Sequence, residues 1–96
     1  MNGWQACGQT AKISSGVRLA ECWKSFGWDV IEIDGHDYPT LVAAFREAST
    51  LDRPRAVLCR TTKGKGIDFM ENNLEWHYRP VRGADLEEAL KRLADA

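Results

Sequence analysis

Two strand-like segments with a helix-sized stretch between them constrain the fold of this chain more than any other feature. Trp28–Ile33 and Arg55–Thr62 are both rich in apolar and β-branched residues. The stretch from Tyr38 to about Thr50 carries one apolar helical face, and Asp37 is suited to cap its start. A strand–helix–strand order of this length gives two parallel strands joined by a right-handed crossover. The sequence therefore predicts an α/β fold.

Further helices are predicted on either side of this unit. Gly16–Phe26 has helical spacing of its apolar residues, and Gly27 stands where a left-handed cap is expected. A closing helix is predicted over Asp85–Ala94, whereas Met1–Ser15 has no clean period and predicts an irregular loop. Parallel sheets normally contain several strands and are covered on both faces. The 96 residues therefore predict a partial parallel-sheet domain, a βαβ unit plus a C-terminal helix, that belongs to a larger fold.

The composition argues against several classes of partner. The formal net charge is −1, with acidic and basic residues interspersed, so we expect neither a nucleic acid nor a membrane surface as ligand. The three cysteines lack metal-binding spacing, and there is no signal peptide or membrane-spanning run. We therefore expect reduced thiols in a cytoplasmic protein. Nine large aromatic rings are many for so short a chain, which predicts that a partner covers some of them.

The run Thr61–His77 is the strongest candidate for a ligand-facing loop, because it follows the second strand and is rich in glycine. Lys63-Gly64-Lys65-Gly66 resembles an anion-binding turn, but it lacks the order of a P-loop, and an ordinary solvated turn explains it equally well. His77 can donate to phosphate oxygens or move a proton, although on its own it also fits a surface histidine.

Three segments taken together resemble a known family. They are NGWQ (Asn2–Gln5), FGWDVIEIDGHD (Phe26–Asp37) and RTTKGKGIDFMENNLEWH (Arg60–His77). This ordered pattern resembles transketolase, specifically the C-terminal half of its thiamine diphosphate-binding domain, and most closely the N-terminal subunit of split transketolases. The resemblance implies that residues 1–96 form a partial thiamine diphosphate-binding domain that lacks the upstream half with the GDG motif.

The resemblance also implies a set of site residues. The family holds thiamine diphosphate through Mg²⁺, using the GDG aspartate, an asparagine and a backbone carbonyl two residues further on; Asn2 and Trp4 match the last two. Oxygen ligands of this kind suit Mg²⁺. His77 matches the family histidine that approaches the cofactor diphosphate and the sugar-phosphate substrate. The cofactor-binding residues implied are Trp4, Lys63, Gly64, Gly66 and His77, with His77 also catalytic and Asn2 and Trp4 at the metal.

The function implied is that of a component of a thiamine diphosphate- and Mg²⁺-dependent transketolase, which transfers a two-carbon ketol unit between sugar phosphates. It is expected to be active only in a hetero-oligomer with subunits that supply the GDG half and the pyrimidine-binding domain, and inactive alone. The alternative is a non-catalytic truncated module that docks on a transketolase homologue. Deoxyxylulose phosphate synthase or a dehydrogenase E1 component is a third interpretation, which FMENN-x-x-WH disfavours. Arg79, where small residues are common in the family, is a candidate to face a phosphate or sulfonate.

Overall fold

The computed structural model describes residues 1–14, 17–48 and 50–94, which form two compact units. The first contains Met1 and the chain from Ser14 to Thr61; the second contains Asn2–Ile13 and the chain from Thr62 onward. The first unit holds α2 (Leu19–Ser25), β3 (Asp29–Asp34), α3 (Tyr38–Ala48) and β4 (Arg55–Arg60). The second holds β1 (Trp4–Gln5), β2 (Gly8–Gln9), α1 (Thr10–Ile13), a 3₁₀ turn (Leu74–His77) and α4 (Ala84–Ala94).

The predicted βαβ unit is confirmed in the first unit. Strands β3 and β4 are parallel and in register from Asp29 opposite Arg55 to Asp34 opposite Arg60. The second strand ends at Arg60 rather than at Thr62, because the Thr61 N–H turns away to donate to the Met1 carbonyl at 3.2 Å.

Helices α2 and α3 cover opposite faces of this sheet. The nearly buried Arg55 side chain reaches Asp29 at 2.5 Å and Glu47 of α3 at 3.0 Å, so this face of β3 and β4 packs against α3. Since side chains alternate along a strand, Glu32 and Leu58 point the other way, where they line a groove with α2. The core is small: among the described residues of this unit, the buried apolar side chains are Ala44, Ala56 and Leu58.

Gly27 ends helix α2 as the sequence predicts. Its φ is +81°, its N–H donates to the Lys24 carbonyl at 3.0 Å, and the Trp28 N–H donates to the Trp23 carbonyl at 3.3 Å. This pair of bonds is a Schellman motif, which satisfies carbonyls that the helix end leaves unpaired. The described helix begins at Leu19; the predicted start at Gly16 lies outside the described residues.

The predicted irregular loop over Met1–Ser15 is wrong for most of its length. Trp4–Gln5 pairs antiparallel with Gly8–Gln9 in a short hairpin, and one helical turn, Thr10–Ile13, follows. Strands of two residues are too short to show alternation of apolar and polar residues, so no periodic signal was available.

The closing helix α4 begins at Ala84, one residue before its predicted start. Ala89 is buried, but the leucines that were predicted to complete its apolar face are 44–59 % exposed: Leu86, Leu90 and Leu93. The aromatic rings behave similarly. All four tryptophans are partly buried, whereas the phenylalanine and tyrosine rings with the greatest exposure are 61–81 % exposed: Phe26, Tyr38, Phe45 and Tyr78. No helix among the described residues is long and apolar enough to cross a bilayer.

Candidate functional site

The carboxyl ends of β3 and β4 share one edge of the sheet, as the sequence predicts. The Gly35 N–H donates to the Arg60 carbonyl at 2.7 Å, and a Cβ on Gly35 would lie 2.6 Å from Cγ2 of Thr61. The turn after β3 is fixed by Asp34, whose carboxylate accepts from the His36 N–H at 2.8 Å. This edge therefore leads directly into the segment that carries the predicted loop.

The hairpin brings two oxygen atoms to the same side. Oδ1 of Asn2 accepts from the Trp4 N–H at 3.0 Å, and the Gly3 carbonyl accepts from the Thr10 N–H at 2.8 Å. The second bond makes Trp4 and Gln9 a non-hydrogen-bonded pair of the antiparallel ladder, so the Trp4 N–H and C=O both point away from β2. The Asn2 amide oxygen and the Trp4 carbonyl, the two predicted metal ligands, thus face the outer edge of the hairpin.

The glycine-rich loop is folded on itself. The Asn72 N–H donates to the Lys63 carbonyl at 2.9 Å and closes the loop. Gly64 has a φ of +73° and packs so closely on Met70 that a Cβ would lie 2.5 Å from the Met70 carbonyl oxygen. The Gly66 N–H, which an anion-binding turn would direct at its ligand, donates to the Glu71 carboxylate at 3.1 Å. Both glycines therefore have structural roles in addition to the predicted binding role.

Asn72 connects this loop to the hairpin. Its Oδ1 accepts from the Trp4 indole Nε1–H at 3.3 Å, and its backbone is left-handed, with a φ of +53°. Asparagine is among the non-glycine residues that most readily adopt this conformation. Sequence reasoning did not single out Asn72; the available signal was the second asparagine of FMENN, a residue type suited to a left-handed turn.

His77 ends the 3₁₀ turn and is exposed, with its ring 4.7 Å from Tyr78 in an edge-on arrangement. The preceding ring, Trp76, is braced on both sides: it lies 5.4 Å from Phe69, and the Arg79 guanidinium lies 4.4 Å from its centroid. The turn itself is capped by Asn73, whose Oδ1 accepts from the Glu75 N–H at 3.0 Å. The local structure around His77 is thus held by several contacts.

Arg79 is already paired. Its Nη2 lies 2.5 Å from Oδ2 of Asp85 in the first turn of α4. An anionic ligand at Arg79 would have to compete with this carboxylate.

All six predicted site residues fall in the second unit, although some 60 positions separate the hairpin residues from the rest. They are Asn2, Trp4, Lys63, Gly64, Gly66 and His77. None of them lines the groove of about 330 Å³ in the first unit. Residues 1–14, 17–48 and 50–94 contain no group of three or more histidine, cysteine and carboxylate side chains able to hold a metal ion. The oxygens that the hairpin offers are therefore an amide and a carbonyl rather than a carboxylate cluster.

Comparisons with known proteins identify the family. Residues 4–94 match the family described as "Transketolase, thiamine diphosphate binding domain". One of the two subunits of the apulose-4-phosphate transketolase of Phocaeicola vulgatus is 32% identical over 95 residues, which are 98% of this chain and 34% of that protein. The 6-deoxy-6-sulfo-D-fructose transketolase subunit SqwG of Clostridium sp. is 38% identical over 77 residues, 79% of this chain and 28% of that protein.

A solved structure extends the comparison to the fold. The transketolase of Campylobacter jejuni superposes with a TM-score of 0.86 and 22% identity, and the match covers 97% of this chain and 15% of that one. This likeness confirms the α/β fold class. The chain spans about a third of the length of the subunit relatives. With the family match over nearly all of its residues, the chain belongs to the transketolase family and carries sequence of its thiamine diphosphate-binding domain.

Proposed function

We propose that this chain is a component of a thiamine diphosphate- and Mg²⁺-dependent transketolase that transfers a two-carbon ketol unit between sugar phosphates once partner chains complete its site. The observation that carries the proposal is the hairpin edge, where the Asn2 amide oxygen and the Trp4 carbonyl face one side. The hairpin folds in the same unit as the Lys63–Gly66 loop and His77. Relatives named as transketolase subunits support the reaction class and the need for partners.

The donor set fits Mg²⁺ in kind. Magnesium prefers oxygen ligands and is usually held by few protein groups together with phosphate oxygens and water. Asn2 and Trp4 supply two such oxygens, and a carboxylate and the diphosphate of the cofactor supply others. The carboxylate comes from outside the described residues, because these offer no cluster of carboxylates that could hold a metal.

The remaining site residues act on the anionic groups. Lys63 lies in the loop that leads to the site and neutralises phosphate charge, while Gly64 and Gly66 give this loop its close turn. His77 donates to a diphosphate or substrate oxygen and can hold or release a proton there. Bound thiamine diphosphate supplies the nucleophilic carbon that carries the ketol unit.

We further infer that residues 1–96 are the C-terminal part of the thiamine diphosphate-binding domain and that the GDG-bearing part is supplied from outside them. Two strands alone make a poor parallel sheet. The outer edge of β4 is in addition paired with Met1, whose amine donates to the Cys59 carbonyl and whose carbonyl accepts from the Thr61 N–H. This is the bonding pattern of a further parallel strand beside β4. The exposed aromatic rings and α4 leucines support the presence of partner subunits.

The test is turnover and metal affinity in a complex reconstituted with the partner subunits. We expect His77→Ala to lower turnover by about a hundredfold or more, the usual contribution of a positioned acid–base group, while assembly is retained. His36, the chain's other histidine, lies in the first unit, and His36→Ala is the matched control. Turnover that is unchanged in His77→Ala would remove His77 from the site.

Asn2→Ala separates this proposal from the alternative, a non-catalytic module that docks on a transketolase homologue. The pairing of the Gly66 N–H with Glu71 favours that alternative, because it occupies a donor that an anion site would use. A metal ligand lost from the site should weaken Mg²⁺ binding by about tenfold or more. A docking module should tolerate Asn2→Ala without a change in metal affinity.

A further inference from the structure

We propose that Asn72 is a positioning residue that fixes the orientation of the metal-facing edge of the hairpin through the Trp4 indole. This inference rests on the proposed function, since it assigns to a residue outside the predicted site the task of aligning Asn2 and Trp4. Its basis is the hydrogen bond from Nε1–H of Trp4 to Oδ1 of Asn72, at 3.3 Å.

The hairpin cannot hold its own orientation. It has only two residue pairs, and a two-stranded hairpin of any length is at best marginally stable in water. Its main chain is further fixed at one point by the Gly3–Thr10 bond, which belongs to the same segment. A contact with another segment is therefore required to set the direction in which the Trp4 carbonyl points.

Trp4 is held at both of its donors. The main-chain N–H donates to Asn2 and the indole N–H donates to Asn72. Because the same residue carries the carbonyl of the predicted metal pair, fixing the indole also fixes that carbonyl and, through the Asn2 bond, the amide oxygen beside it. A rotation of the hairpin that moved these oxygens would break the bond to Asn72.

Asn72 is itself well anchored. Its N–H closes the loop on Lys63, and the next residue, Asn73, caps the turn that ends in His77. The side chain of Asn72 thus lies where the hairpin, the Lys63–Gly66 loop and the His77 turn are connected. Asparagine meets two requirements here: it tolerates the left-handed backbone and provides the acceptor oxygen.

Three variants separate these requirements. Asn72→Gly keeps a backbone that adopts positive φ easily but removes the acceptor. Trp4→Phe removes the donor from the other side and leaves the Trp4 carbonyl and the loop intact. Asn72→Asp keeps an acceptor oxygen and tests for rescue.

The experiment measures Mn²⁺ affinity by electron paramagnetic resonance in the reconstituted complex with thiamine diphosphate present. We expect Asn72→Gly and Trp4→Phe each to weaken Mn²⁺ binding by about two- to tenfold, the range of a single hydrogen bond. The double variant should be no weaker than the worse single variant, because both remove the same bond. Asn72→Asp should bind Mn²⁺ at least as tightly as the parent chain. Multiplied effects in the double variant, or unchanged affinity in both single variants, would overturn the inference.

A second readout is independent of metal and turnover. The ¹⁹F resonance of 5-fluorotryptophan at position 4, assigned by its loss in Trp4→Phe, should shift in Asn72→Gly and return towards its original position in Asn72→Asp. A resonance that ignores both changes at Asn72 would also overturn the inference. Asn2→Ala is measured alongside: if it leaves Mn²⁺ affinity unchanged, the proposed metal site fails, whereas a loss there with none in Asn72→Gly rejects only the role of Asn72.

Discussion

Replacing Gly64 by alanine tests whether the loop before His77 depends on close contact between two backbone segments. Gly64 has a φ of +73°, and an added Cβ would lie 2.5 Å from the oxygen and 2.7 Å from the carbon of the Met70 carbonyl. Gly66 is the matched control, because its φ is +93° but its added Cβ would make only an ordinary contact, 3.5 Å from Leu93. Both variants incur the cost of a left-handed alanine, about 1–2 kcal/mol, partly offset by lower entropy of the unfolded chain.

The difference between the two variants isolates the clash. Backbone atoms cannot rotate out of the way as a side chain can, so Gly64→Ala should be less stable than Gly66→Ala by about 1–3 kcal/mol, the usual cost of overpacking. Urea unfolding followed by tryptophan fluorescence measures this, provided that the two variants have equal m-values. Equal unfolding free energies for the two variants would refute the reasoning.

Two further predictions concern the first unit. Arg55→Met should lower the urea midpoint, because its guanidinium is only 7 % exposed and pairs with Asp29, whereas Arg60→Met, at 73 % exposure, should change the unfolding free energy by no more than about 0.5 kcal/mol. The hydrogen bond to Asp29 raises the pKa of Arg55 above its ordinary value; a raised pKa keeps the guanidinium charged below it, so the effect of Arg55→Met should be equal at about pH 6 and about pH 9. Gly35→Ala should cost about 1–3 kcal/mol, since the new Cβ would lie 2.6 Å from Cγ2 of Thr61, and Thr61→Ser, which lacks that methyl, should restore part of the loss. No restoration in the double variant would show that another contact dominates.

The βαβ unit was predictable because its signals are local. Strand β3 and helix α3 are each long enough to show their period, and both capping glycine and closing helix stand close to the predicted positions. The hairpin was not predictable, because two residues per strand carry no period and its partners lie elsewhere in the chain. Its Trp4 indole contacts Asn72, 68 positions away.

The candidate site was predictable only as a resemblance of separate motifs. Asn2, Trp4 and His77 were assigned by matching family segments, and their metal and cofactor roles remain predictions. Nothing in the spacing of these residues indicates that the first dozen residues fold with the segment after Thr62. The internal pairing of the glycine-rich loop, with Gly66 bonded to Glu71, was likewise invisible in the sequence.

The sequence by itself determined the α/β class, the parallel order of two strands and the family, because periodicity, caps and ordered motifs are encoded in neighbouring residues. Only the tertiary structure decided which distant segments share a unit, which carbonyls face outward and which residue anchors the hairpin. These features depend on hydrogen bonds and close contacts between segments far apart in the chain. Such contacts form only when the whole unit folds, so no local pattern of residue types encodes them.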